Sequence, residues 1–387
     1  MYRKLINAIK LFELFIHTTF FAIMELLEIF SNRTESYTPW VKIAQLVAQV
    51  GFGSTIFFCG VLIFLTVFGV KRNFGSYKYL LILFLVVGIF FATVVLILYP
   101  NVHSFNAGYF FYSTRRPFGV GIDIVTILMA FYTSIYASTI CMLSAQFVYR
   151  YWAIFDETKL RFFKGWKFMF CVLYSMVVGA QWGLSMYFFN QMDDFTDQYM
   201  REEIMYRYNI NISEIARLCL VSYNTDGSLR WRNNSCTIDM TIFMIVQYTI
   251  VIYCAVVMYQ KMEEKLKMLS VSLRNLHKQF YKTLLLQIFT PTLCLFAPVV
   301  FIIYLPLFNL KISIPTRMFL CAFTLYPAMD ALIVMYIVTD YRKAAKKILK
   351  NVLDGLYSFC NLHESQANTT TQTVPTRETN LPNNVWS

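Results

Sequence analysis

Charge is scarce in this chain: 14 % of its 387 residues are Asp, Glu, Lys or Arg, against about 25 % in ordinary soluble domains. Histidine is scarcer still, with four residues at positions 17, 103, 277 and 363, none of them in the middle of an apolar run. The side chains from which acid–base or metal centres are assembled are therefore thin on the ground, and no enzymatic activity, metal or cofactor is expected. The nine cysteines lack the paired spacing of a zinc site. Six of them, Cys59, Cys141, Cys171, Cys254, Cys294 and Cys321, fall within apolar runs, where a thiol behaves as a small hydrophobe. Alternating segments about ten residues long are also missing, which argues against a membrane β-barrel.

Apolar length is what the chain has. Hydrophobic residues make up 57 % of it, and seven continuous runs fall near 43–68, 79–99, 121–148, 166–190, 239–260, 283–308 and 318–338. At about 1.5 Å of rise per residue, about twenty residues cross a hydrocarbon core about 30 Å thick. The expected fold is an all-α membrane protein, a seven-transmembrane helix bundle over residues 43–338. A transporter would show repeated halves and several polar residues at mid-membrane depth. A channel would show a polar stripe along its pore. Neither pattern is present.

The net charge of +12 is topological rather than a sign of nucleic-acid binding. The alternate loops 69–78, 149–167, 261–282 and 339–350 hold 19 Lys and Arg residues, whereas 100–120, 191–238 and 309–317 hold 9. Positive loops stay in the cytoplasm, so the first span is expected to start outside and the C-terminus to lie inside. Residues 1–42 form an N-terminal extension that fits an interfacial helix, a signal sequence, an extra span or a mis-assigned first exon. After the seventh span, residues 339–358 pair an apolar stripe (Ala344, Ala345, Ile348, Leu349, Val352) with a lysine face. That is the pattern of an amphipathic helix on the inner leaflet. The Thr- and Asn-rich tail, 359–387, is expected to be disordered.

The longest loop, 191–238, reads as hydrated and acidic, and its position is extracellular. It carries two glycosylation sequons, at Asn211 and Asn233. Cys219 and Cys236 are the two cysteines in an oxidising location and form the one plausible disulfide. Proline is concentrated in the sixth run, at Pro291, Pro298 and Pro306, where it favours a helix shaped to bend. Asp330 lies deep in the seventh run, as functional or network carboxylates do. Arg150, at the inner end of the third, admits two readings: a membrane-boundary anchor, or a latch on a neighbouring helix or intracellular partner.

These residues carry a resemblance to the nematode serpentine chemoreceptors of the seven-transmembrane-receptor (str) class, the group containing the diacetyl odorant receptor. The resembling stretches are Ser76-Tyr-Lys-Tyr-Leu-Leu, His103-Ser-Phe, Gln146-Phe-Val-Tyr-Arg-Tyr-Trp-Ala-Ile-Phe155, Gln287-Ile-Phe-Thr-Pro-Thr through Leu305-Pro-Leu-Phe308, and Tyr326-Pro-Ala-Met-Asp330 through Thr339-Asp-Tyr-Arg342. They cover about residues 40–350. The resemblance implies a G-protein-coupled odorant receptor of the sensory cilium. It departs from rhodopsin-like receptors at Tyr149, which stands where an acid usually precedes the arginine, and in lacking a cysteine at the outer end of the third span.

On that reading Arg150, Lys261, Lys265, Lys267, Arg274 and Lys278 form the G-protein face. The odorant site is expected between the outer halves of the third, fifth, sixth and seventh spans. Its expected lining is Asp123, Ile127, Ala130 and Ser134, which share a helical face that is equally a packing surface, with Phe243, Gln247, Phe301, Tyr304, Phe319, Phe323 and Tyr326. The expected ligand is small and mostly apolar, with one or two polar atoms. The oligomeric state is left open.

Overall fold

The computed structural model describes residues 36–69, 76–267 and 286–347. Seven helices in it are long and apolar enough to cross a membrane: Thr38–Gly69, Tyr77–Leu98, Ile122–Phe155, Gly165–Phe189, Trp231–Lys261, Leu286–Phe308 and Phe319–Tyr336. All seven expected runs are present. The first starts at Thr38, five residues before the expected 43, with Pro39 in its first turn, where a missing amide hydrogen costs nothing. The earlier part of the N-terminal extension and the chain beyond 347 lie outside the described residues.

Burial sets the order of the helices. In the third span 61 % of the apolar window is buried, against 28 % in the fourth, so the third runs through the centre and the fourth lies at the lipid edge. The two approach closely because glycine leaves room. A Cβ at Gly183 would sit 1.9 Å from Ser134 Oγ and 2.8 Å from the Ala130 carbonyl oxygen, and one at Gly179 would sit 2.6 Å from the Ser134 carbonyl. Small residues at such crossings let dispersion contacts and backbone proximity replace the hydrophobic effect, which is absent between helices in lipid.

The sixth span is broken as its prolines suggest. A π-helical turn, Thr292–Phe296, follows Pro291, a short α-segment, Ala297–Tyr304, contains Pro298, and a 3-10 turn, Leu305–Phe308, contains Pro306. The widened turn leaves the Leu295 carbonyl to accept a hydrogen bond from Tyr136 Oη of the third span at 2.9 Å.

One end of the bundle is capped by a sheet that the sequence patterns did not indicate. Its strands are β1 (Asn101–Phe105), β2 (Gly108–Ser113), β3 (Ala216–Val221) and β4 (Ser313–Ile314), paired antiparallel in the order β3-β2-β1-β4. Three separate loops thus share one ladder. The tight β1–β2 hairpin turns at Asn106, whose φ of 47° is a conformation that asparagine tolerates. Alternation splits the sheet into two faces. Val102, Tyr109, Phe111, Leu218 and Leu220 belong to the bundle core, whereas Phe110, Tyr112, Cys219 and Val221 belong to a separate core beneath the loop helix Asp194–Tyr208. That helix starts at a reciprocal cap: Asp193 Oδ1 accepts from the Thr196 amide at 3.0 Å, and Thr196 Oγ1 accepts from the Asp193 amide at 2.9 Å.

A buried polar cluster fastens the cap. Glu203 Oε1 accepts from Arg207 Nε at 3.0 Å and Ser313 Oγ at 2.6 Å, and lies 3.4 Å from His103 Nε2. His103 Nδ1 is 3.0 Å from Tyr208 Oη, and Tyr37 Oη donates to the Ser313 carbonyl at 3.0 Å. Partial burial opposes ionisation of Glu203, but hydrogen bonds from His103, Ser313 and Arg207 hold its pKa at about 2. Burial holds His103 below the usual imidazole range.

Three expectations for the 191–238 loop are corrected here. It is a packed structure rather than a hydrated strand of chain. Cys219 and Cys236 are both free and buried. The sheet separates them: Cys219 points from β3 into the cap core, and Cys236 belongs to the bundle core, where its sulfur meets Asn190 Nδ2 at 3.3 Å. Asn233 is 1 % exposed, and the Nδ2 atom that would carry a glycan donates to the Phe189 and Cys219 carbonyls at 3.0 and 3.3 Å. Asn211, by contrast, is exposed at the start of a 3-10 turn.

At the opposite, basic end the chain extends at Val338 and re-enters a helix over 339–347. Tyr341 is buried there and accepts from Thr66 Oγ1 at 3.1 Å, with Ala344 and Ala345 against the same apolar cluster and Lys343, Lys346 and Lys347 exposed. The expected amphipathic helix is present as far as the described residues go.

Candidate ligand cavity and inner-end latch

Beneath the sheet, between the third to seventh spans, lies a cavity of about 70 Å3. Its floor and walls come from Tyr132, Thr133 and Tyr136 of the third span, Trp182 and Met186 of the fourth and Met240 of the fifth. Val299, Ile302 and Ile303 of the sixth and Leu320 and Phe323 of the seventh complete them. Val102, Tyr109 and Phe111 of the sheet form its roof. The lining is almost wholly apolar and aromatic, as small-molecule sites generally are.

Of the expected lining residues, Phe323 alone is in this wall, tilted against Tyr136 at 4.9 Å between ring centroids. The other expected positions are placed elsewhere. Asp123 and Ile127 are exposed on the outside of the bundle. Ala130 and Ser134 pack on Gly183, the packing-surface alternative for that face. Phe243 backs Trp182 edge-on at 4.9 Å. Gln247 clasps helices together, accepting from Ser144 Oγ at 2.6 Å and donating to Tyr174 Oη at 2.9 Å. Tyr304 pairs with Thr241 at 2.7 Å, Phe301 lies tilted against Phe319 at 4.8 Å, and Tyr326 sits edge-on to Phe84 at 6.3 Å. The cavity uses the face of the third span one residue away, that of Tyr132, Thr133 and Tyr136. The span is apolar all round, so no moment in the sequence marks which side faces in.

The helix ends opposite the sheet are tied by a second constellation. Arg150 is 5 % exposed and does not reach toward solvent. Its Nη1 donates to Gln287 Oε1 of the sixth span and its Nη2 to Tyr77 Oη of the second, with the guanidinium 5.4 Å over the Tyr77 ring and 5.9 Å over that of Phe147. Gln287 Nε2 in turn donates to Asp330 Oδ1 of the seventh span at 3.2 Å. Four helices are thereby linked through one arginine and one glutamine. Arg150 therefore contacts the neighbouring second and sixth spans.

Gln287 was not picked out as a site residue, although a lone amide in an apolar run is itself a signal. Among the other basic positions, Lys261 is exposed at the end of the fifth span, 5.9 Å over the Phe155 ring. Lys265 and Lys267 continue the same helix, and Arg274 and Lys278 lie outside the described residues.

Comparison with known proteins supplies the class. Residues 44–346 match the family model described as serpentine type 7TM GPCR chemoreceptor Str. The chain is 34 % identical over 312 residues to the G-protein coupled receptor str-33 of Caenorhabditis elegans, covering 79 % of this chain and 90 % of that one. It is 27 % identical over 339 residues to serpentine receptor class r-10 of the same nematode, covering 85 % and 98 %, and 24 % identical over 299 residues to the G-protein coupled receptor str-217, covering 73 % and 83 %. This chain belongs to the Str family of serpentine seven-transmembrane chemoreceptors. It is a multi-pass membrane protein of the chemosensory G-protein-coupled receptor class.

Proposed function

We propose that the protein is an odorant receptor that binds a small, mostly apolar molecule in the roofed cavity and signals through a heterotrimeric G protein. The observation that carries this reading is the cavity, closed by β1 and β2 above and walled by the bend-prone sixth span. Tyr136 links the two parts: it lines the cavity and donates to the Leu295 carbonyl at the π-turn. A ligand that shifts Tyr136 therefore acts directly on the segment where the sixth helix is least regular. At the other end of that helix, Gln287 is held by Arg150 and Asp330. Release of this pair frees the basic inner face, with Arg150 and Lys261 on it, for an intracellular partner. In this reading the sheet-capped end is extracellular, Asn211 carries a glycan, the C-terminus is cytoplasmic, and the receptor sits in the plasma membrane of a sensory cilium.

The test is a calcium or cAMP assay across a panel of volatile and water-soluble odorants. Val299→Trp, which fills the cavity, should abolish the response to an active odorant at normal surface expression, while Gln247→Leu should leave its potency unchanged. Arg150→Ala should abolish coupling at near-normal surface levels. Full responses from the filled cavity would move the ligand elsewhere.

A further inference from the structure

Beside the main cavity is a smaller one, lined by Tyr99, Tyr132, Arg317, Leu320 and Cys321 among others. Tyr132 and Leu320 are walls of both. Arg317 is 5 % exposed, and among the described residues no carboxylate comes within 4.0 Å of it. Its hydrogen-bond partner is the neutral Asn101 Oδ1, and Asn101 is itself fixed by donation from Nδ2 to the Tyr99 carbonyl at 2.9 Å. The ionisable side chains that act on Arg317 are Cys321, Tyr112, Tyr99 and Tyr208, none of them a carboxylate. A guanidinium taken out of water without a counter-charge is expensive and is normally matched by an anion.

The second observation is independent. Tyr132 is 3 % exposed, is stacked on Phe91 at 5.2 Å and 18°, and its hydroxyl has no hydrogen-bond partner among the described residues. A buried hydroxyl with no partner costs free energy until something accepts from it. A buried guanidinium without a counter-charge and a buried hydroxyl without a partner thus line a small space that shares its walls with the apolar cavity.

We infer that the ligand is a short-chain carboxylate, its head group seated against Arg317 and Tyr132 and its alkyl chain in the apolar cavity. Arginine presents a planar fork that matches the two oxygens of a carboxylate. A phosphate, with more oxygens to satisfy, finds too few donors here. The inference rests on the reading of the main cavity as the ligand site and adds the chemical class that the site selects.

The test uses purified full-length receptor in nanodiscs, with butanoate as probe and butanamide and butan-1-ol as neutral controls of matched length. Sodium chloride holds ionic strength constant. Dissociation constants are measured by titration, together with the shift in thermal midpoint. Butanoate should bind about tenfold or more tightly than butanamide, as expected for a hydrogen bond to a charged group. Arg317→Gln should erase that preference. Tyr132→Phe removes a hydroxyl that holds nothing, so the fold should keep its thermal midpoint while butanoate binding weakens several-fold; this variant keeps the test decisive if Arg317→Gln does not fold.

Equal binding of acid, amide and alcohol would overturn the carboxylate assignment. So would butanoate binding that survives Arg317→Gln, a chloride response as large as that to butanoate, or no binding by any straight-chain acid from acetate to octanoate. If neutral odorants bind and lose binding in Val299→Trp while acids show no preference, the carboxylate assignment fails and the cavity reading stands. If butanoate binding requires Arg317 yet is untouched by Val299→Trp, the anion site stands and the cavity reading fails.

Discussion

Replacing Gln287 by leucine should raise ligand-independent signalling. The side chain is 2 % exposed and bridges Arg150 and Asp330, accepting from the first and donating to the second at 3.2 Å. Leucine roughly preserves the volume and removes both hydrogen bonds. Hydrogen bonds to charged groups contribute about 1.5–3 kcal/mol each. Arg150 keeps its bond to Tyr77 and its position over the Tyr77 and Phe147 rings, so it is not stranded.

If the closed arrangement loses only the weaker of the two interactions, the closed-to-open ratio falls by about tenfold, since about 1.4 kcal/mol is a factor of ten. Basal cAMP or calcium signalling, normalised to surface receptor, should rise by that order until the open form saturates. Tyr77→Phe is the control. It removes the bond between the second and third spans without touching the sixth, so its basal signal should stay close to wild type. Adding Asp330→Asn to Gln287→Leu should produce little further change, because both act on the same link. Basal signalling at wild-type level in Gln287→Leu, at equal surface expression, would refute the latch, and so would an equal rise in Tyr77→Phe.

Four further outcomes are expected. Gly183→Ala should destabilise the bundle by about 1–3 kcal/mol through overpacking, seen as a lower thermal midpoint in detergent; Ser134→Ala should rescue it only in part, because the Ala130 carbonyl is also within 2.8 Å of the added Cβ. Enzymatic deglycosylation should shift the mass of the wild type and of Asn233→Gln alike and leave Asn211→Gln unshifted; a shift that persists in Asn211→Gln would overturn the burial argument for Asn233. Non-reducing peptide mapping should recover Cys219 and Cys236 as separate thiols, and a linked peptide would disprove the two-face geometry of β3.

The fourth outcome is a loss of cap stability on acidification. Glu203, with a folded pKa of about 2, contributes stability above its unfolded value near 4.3 and loses it as pH falls toward 2. Burial lowers the His103 pKa, so below about 6.5 the unfolded state takes up its proton first and stability falls in the same direction. The thermal midpoint should therefore decline from pH 7.5 to pH 5, with a shallower decline in His103→Gln. A flat or rising profile would contradict the assignment.

Much of the architecture was legible in residue order. The number of spans follows from length and apolarity, because lipid offers backbone groups no hydrogen-bond partner and each crossing must satisfy its own. The broken sixth span followed from Pro291, Pro298 and Pro306, since each removes a backbone donor whatever surrounds it. The inward turn of Ala344 and Ala345 followed from their spacing against lysines.

Tertiary structure alone decided how each helix is rotated about its axis. In lipid both faces of a span are apolar, so the third span could present Ala130 and Ser134 or Tyr132, Thr133 and Tyr136 to the cavity with the same hydropathy. The choice was made by Gly179 and Gly183 of the fourth span, which leave room for one face only. The cap is equally non-local. Each of its strands is six residues or fewer and acquires its partner from another loop, as β1 does from β4 more than two hundred residues away. Arg150 is visible in the sequence as a charge at a membrane edge. That it is buried and held by Gln287 depends on contacts 137 residues apart, which no local pattern encodes.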